Sequence, residues 1–193
     1  MNTSDKWSHL DIIHLDIINE NEIRELDLEI RQVSFQVRDT GSFLSWLRDL
    51  SNRNGVSIVC FNAELMAGHE HVISAMFHAK RAMKKGTCIS SSFEIEALLY
   101  AAGSRQCQDA AKFGVHQGLN NCYLCIYPIN PQVWSDLSPV MTISTDDWER
   151  MTDEKMTVLT SVFGITNDEI VVTGKDRIKD LVLERVALLE VNK

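Results

Sequence analysis

Between Val56 and Gly86 the hydrophobic residues change period once, and that change does most to set the fold class. VSIVCFN (56–62) is a short, mostly apolar run of the kind that fills a central strand. From Gly68 onward, Val72, Ala75, Met76, Ala79 and Ala82 or Met83 recur at the spacing of one helical face. Gly86 is placed to close that helix. A strand leading into a long amphipathic helix implies a sheet with helices packed against it.

The flanking sequence extends this pattern without a repeat. IIHLDII (12–18) reads as a strand, and LEIRQVSFQV (28–37) alternates partially, as a second strand would. GSFLSWLRDLSNRN (41–54) puts Phe43, Leu44, Leu47 and Leu50 on one helical face, with Ser42 as N-cap and Asn54-Gly55 as its end. Ser91 and Glu94 have capping-box spacing, so a helix is expected there with Ile95, Leu98, Leu99 and Ala102 inward and Gly103 after its end. Ser104 is expected to cap a short helix through Phe113. NNCYLCIYP returns to a strand and NPQVWSDLSP reads as a short helix. VMTIS reads as a strand, and an amphipathic helix opens at Asp146 and Asp147. GKDRIKDLVLERV is helical and runs into the apolar tail ALLEV. The elements alternate irregularly, which favours a single α/β or α+β domain over residues 1–193. Its central sheet would be mixed or antiparallel and flanked by helices, not a doubly wound nucleotide fold.

The bulk properties exclude several classes. With 193 residues, 45% hydrophobic and 24% charged, the chain has ordinary globular composition. No apolar run approaches the ~20 residues of a membrane span. The N-terminus lacks the basic start and apolar core of a signal peptide, so a cytoplasmic protein is expected. Five cysteines in such a chain do not suggest a disulfide framework. Cys122 and Cys125 have CxxC spacing but lie in a strand, where an odd offset points the thiols to opposite faces. GxxxxGK[ST], GxGxxG, GxSxG and HExxH are all absent from the sequence. His69-Glu70-His71 is the best metal-like cluster, but residues i and i+2 on a helix lie about 200° apart and cannot chelate one ion. Glu94 and Glu96 are poor paired carboxylates for the same reason. Cys88 precedes a helix start without an indicated histidine partner. Neither a catalytic residue, a metal nor a cofactor is expected.

One charge feature stands out. The chain carries 27 Asp+Glu against 19 Lys+Arg, a formal charge of −8. HAKRAMKKG (78–86) nevertheless groups Lys80, Arg81, Lys84 and Lys85 at a helix C-terminus with no acid among them. Cations there stabilise the helix dipole by ~0.3–1 kcal/mol each. Four exceed that need, and like-charge i, i+4 pairs cost a few tenths of a kcal/mol. Arg105 and Gln106 fall in the first turn of the next helix, where unpaired N–H groups attract anions and an arginine is unfavourable for the dipole. A polyanion site and a solvated face are the two readings of these residues.

FNAELMAGHEHVISAMFHAKRAMKKGTCISSSFEIEALLYAAGSRQCQDAAKFGV supplies a resemblance. The order is FNA at a strand end, a helix opened by HV, a basic helix end, a capped S-S-F-E-I-E helix and an A-G-x-R-Q turn. It resembles the small accessory subunit of the KEOPS complex, the Cgi-type or PRPK-binding protein family, with the R-Q turn closer to archaeal members. The tail VLERVALLEV resembles the family's closing helix and strand. The resemblance implies a non-enzymatic subunit that binds and regulates the complex's small kinase-like ATPase. It also implies help in recruiting tRNA by its 3′ CCA end for threonylcarbamoyl modification of the adenosine next to the anticodon, the chemistry belonging to a separate transferase subunit. Lys80, Arg81, Lys84, Lys85, Arg105 and Gln106 are then the expected RNA-binding residues. Phe93 and Tyr100 are stacking candidates unless they belong to the core. Ile178, Leu181, Val182 and Leu188 of the terminal helix are the expected kinase-facing strip, the alternative being this protein's own core. A protein-only kinase-docking regulator and a thiol or metal enzyme using His69, His71 or Cys88 are the competing readings.

Overall fold

A computed structural model describes Leu26 to Val191; the strand expected over residues 12–18 lies outside this range. Four strands form one antiparallel sheet: β1 (Glu29–Val37), β2 (Ser57–Asn62), β3 (Gly118–Tyr127) and β4 (Thr142–Ile143). The spatial order is β2-β3-β1-β4. β3 pairs with β1 from Glu29↔Ile126 to Val37↔Gly118, and with β2 from Ser57↔Tyr127 to Asn62↔Cys122. The apolar run VSIVCFN is therefore an edge strand, not a central one. Its burial comes from helices on both faces of the sheet, because five of the six residues of β2 are buried although only one neighbour pairs with it.

Eight helices are described: α1 (Thr40–Asn54), α2 (His69–Lys85), α3 (Phe93–Ala102), α4 (Cys107–Lys112), α5 (Val133–Leu137), α6 (Asp153–Val162), α7 (Asn167–Thr173) and α8 (Ile178–Val191). The alternation along β1 and β3 builds two cores. On one face Val33, Phe35, Leu124 and Ile126 meet Leu47 and Leu50 of α1 and Leu137 of α5. On the other, Phe61, Tyr123 and Cys125 meet α2, α3 and α8 through Val72, Met76, Tyr100, Val182 and Val186. Cys122 and Cys125 lie in opposite cores, as the odd offset requires, and burial pushes both thiols well up from their usual pKa.

Several local expectations shift. Asp39, not Ser42, caps α1 by accepting the Ser42 N–H at 2.8 Å, and Leu44 stays 42% exposed. Ser92, not Ser91, caps α3. The inward face of α3 is correspondingly Glu96, Ala97, Leu99 and Tyr100, leaving Ile95 exposed. Ser104 does not cap α4; its hydroxyl accepts the Gln106 N–H and donates to Asp109, stabilising a turn. The helix expected from Asp146 starts only at Asp153 under a Thr152 cap. The preceding residues turn inward, where Glu149 accepts bonds from the Tyr123 hydroxyl and the His69 N–H, both at 2.9 Å. α7 carries a Thr166/Glu169 capping box, a signal the reading above did not use. The chain stays helical through Val191, where a closing strand was expected.

Candidate nucleic-acid and partner interface

The basic end of α2 divides into two faces, because residues four apart align along a helix while those one apart do not. On one face Arg81 Nε and Lys85 Nζ lie 3.2 and 2.9 Å from Glu190 Oε1 of α8. Buried His78 meets Glu190 Oε2 through Nδ1 at 2.9 Å and stacks on Tyr100 at 5.3 Å. Burial raises the Glu190 pKa, but hydrogen bonds from Lys85 and His78 and the charge of Arg81 outweigh it, leaving the carboxyl below its ordinary value. Two of the four cations thus clamp α8 onto α2.

The other face borders a groove. Lys80 Nζ sits 5.5 Å above the Tyr127 ring, and Lys84 is exposed with no ion-pair partner among the described residues. Both line a groove of about 660 Å³ with Met83, Phe93, Tyr127 and Pro128. Phe93 and Tyr127 stack at 5.2 Å and 24°. Tyr100, the other aromatic candidate, is fully buried core. Tyr127 was missed because it reads as the last residue of a strand; only the β2–β3 register brings it beside α2.

The loop before Phe93 is anchored from inside. Glu96, fully buried, accepts the Ile89 and Ser90 N–H groups through Oε2 at 2.9 and 2.8 Å. The Ser92 hydroxyl accepts from the Ile95 N–H and donates to Glu94. These bonds fix where α3 begins, and so where Phe93 faces the lysines.

Arg105 and Gln106 are exposed, but not here. α3 runs back along α2, since His71 near the start of α2 bonds Ala101 O near the end of α3 at 2.9 Å. Ten residues of helix, about 15 Å, separate that end from Phe93. The six expected RNA-binding residues therefore form two separate positions. Of the terminal strip, Ile178, Leu181 and Val182 are buried in this protein's own core, and only Leu188 is exposed, at 43%.

The metal-like cluster is committed elsewhere. His71 accepts the Ala67 N–H at Nδ1 (3.1 Å) and therefore carries its proton on Nε2, which donates to Ala101 O. Burial pulls its pKa down to about 3. With both nitrogens bonded, His71 has no lone pair for a metal. Cys88 lies 3.0 Å from Met83 Sδ. Among the described residues no helix is long and apolar enough to cross a membrane.

A search of curated proteins finds no match. The family model described as kinase binding protein CGI-121 matches residues 35–190, which takes in every described element from the last third of β1 to the last turn of α8. The chain belongs to the kinase binding protein CGI-121 family.

Proposed function

We propose that the protein is a non-catalytic, cytoplasmic KEOPS subunit that binds and regulates the complex's small kinase-like ATPase. On this reading it also helps present the 3′ CCA end of tRNA for threonylcarbamoyl transfer by a separate subunit. Family membership supports the kinase half. The observation that carries the RNA half is the groove where Lys80 and Lys84 stand beside the stacked Phe93–Tyr127 pair. Ammonium groups neutralise phosphates, and aromatic edges and faces accept unstacked bases without sequence demands. Arg105 and Gln106 would serve as a second contact along the strand. On the kinase side, exposed Leu188 is the remaining member of the terminal strip available to a partner.

The test is a titration with tRNA, intact and lacking its CCA end, at two salt concentrations, beside a pull-down of the kinase. Salt-sensitive binding that disappears with the CCA end supports the reading; equal binding of both RNAs, or none, refutes its RNA half. Retained kinase capture by Leu188→Glu removes that residue from the docking surface. One observation favours a second reading, the protein-only regulator: Arg81 and Lys85 both already pair with Glu190, so these two cations have an intramolecular purpose.

A further inference from the structure

Along the outer edge of β2, hydrogen-bonding groups have no partner among the described residues. In an antiparallel pair, alternate residues turn their N–H and C=O toward the neighbour and away from it. Asn62 donates outward to Phe113 O at 2.7 Å, while Ala63 donates across to Asn121 O. The same parity turns the main-chain groups of Ile58 and Cys60 outward, and among the described residues nothing pairs with them. They open onto a groove of about 540 Å³ with α1 as one wall and α3 as the other. Leu44 and Ile95, each 42% exposed, stand on opposite walls, with Leu98 behind. Arg48 on α1 lines the same groove and has no ion-pair partner among the described residues.

We propose that this groove receives an extended, acidic and apolar polypeptide segment of a partner protein, added to the sheet as a fifth strand along β2. Donors and acceptors repeating along a strand edge match a polypeptide backbone. The edge is recessed between two helices, so a single extended segment fits where the sheet of a second copy does not. From Ser57 to Cys60 it offers about 13 Å, room for four to five residues. Alternate side chains of the added strand then point to the two walls. One set meets Ile95 and Leu98 and asks for β-branched residues; the other meets Leu44 and Arg48 and asks for acids. The walls of this stretch are largely aliphatic and carry one cation, Arg48 on α1, and one acid, Glu94 on α3, which suits a peptide better than a phosphate backbone. At the Val56–Ser57 end the groove meets the lysine groove through shared lining at Ser51, Asn52 and Phe93.

The test uses the full chain and the labelled peptide acetyl-Ile-Asp-Val-Glu-Ile-amide, followed by fluorescence anisotropy and by amide hydrogen exchange at Ile58 and Cys60. Saturable binding is expected, with exchange at both amides slowed at least tenfold. N-methylation of the three central peptide amides, which removes ladder donors in either register, is expected to abolish binding. Acetyl-Ile-Lys-Val-Lys-Ile-amide should bind at least tenfold more weakly, and Arg48→Glu should invert that preference. The proposal is overturned if the acidic peptide does not bind, or binds without slowing these amides. It is equally overturned if both amides are already slow in the peptide-free chain, which would mean that the protein fills its own groove. Protection by a CCA-ended oligoribonucleotide and not by peptide would assign the groove to RNA. None of these readouts depends on the tRNA titration above.

Discussion

Replacing Glu96 by Ala tests how the Phe93 face of the groove is held in place. The side chain is fully buried, and one oxygen accepts two backbone N–H groups, from Ile89 and Ser90, at 2.9 and 2.8 Å. Its removal strands both donors. An unsatisfied buried donor costs about 1–3 kcal/mol, and the lower figure applies because Ile89 and Ser90 are only half-buried. Two donors contribute about 2 kcal/mol, and the lost buried methylene about 0.8 kcal/mol more. The expected loss is about 3 kcal/mol, or roughly 6–12 °C in Tm for a chain of this size. Glu96→Gln keeps a carbonyl oxygen facing both donors and loses only the charge assistance, so about 1 kcal/mol is expected. Urea denaturation of the three proteins measures the series. A Glu96→Ala variant within 0.5 kcal/mol of the parent, or one no worse than Glu96→Gln, refutes the view that this carboxylate anchors the loop.

Three further outcomes are expected. Because Glu190 has a folded pKa below its ordinary value, it contributes stability that is present above about pH 4.5 and lost as pH falls through the depressed value. Glu190→Gln should flatten that acid limb in a urea-denaturation pH series and cost under about 1 kcal/mol at neutral pH, since the ion pairs are partly solvated. Gly68 has φ +123°, and a Cβ there collides with Glu149 Oε2, so Gly68→Ala must displace the acceptor of the His69 N–H and Tyr123 hydroxyl. About 2 kcal/mol or more should be lost in calorimetry. On the proposed RNA reading, Lys84→Ala should lower the salt slope of tRNA binding by about 0.7, making the fall in affinity between 50 and 200 mM salt about 2.6-fold shallower. Lys85→Ala should leave the slope unchanged, because that ammonium faces Glu190.

How much of this was legible follows from which signals are local. The stripe Val72, Ala75, Met76, Ala79 and Ala82 is entirely buried as its spacing demands, and Gly86 and Gly103 end α2 and α3 in left-handed geometry. Such features depend on a helix period and a turn. What failed depended on neighbours distant in sequence. VSIVCFN looks central because it is apolar, yet its cover is α1 and α3, not a second strand. DDWER resembles a helix start until Tyr123 and His69 claim Glu149, which delays the helix to Asp153. The four cations read as one cluster because sequence cannot show that Glu190, 105 residues beyond Lys85, draws two of them to itself. Ile178, Leu181 and Val182 had the right pattern for an interface and for a core, two environments that present the same chemistry to a sequence reader.

The position of β3 also bears on how the chain reaches this state. β1 and β2 leave the ribosome before β3 but do not pair with each other; each waits for a strand that begins at Gly118. The pairings it makes span 60 residues at the nearest, Asn62↔Cys122, and 97 at the farthest, Glu29↔Ile126. Until Tyr127 is synthesised, β1 and β2 lack the strand that joins them among the described residues, and α2 and α3 have no completed sheet to cover. Closing such long loops is entropically slow, which makes this a high-contact-order fold despite its helical content. The growing chain is therefore most exposed to aggregation after VSIVCFN emerges and before NCYLCIY does, a window in which chaperones, not tertiary structure, must shield it.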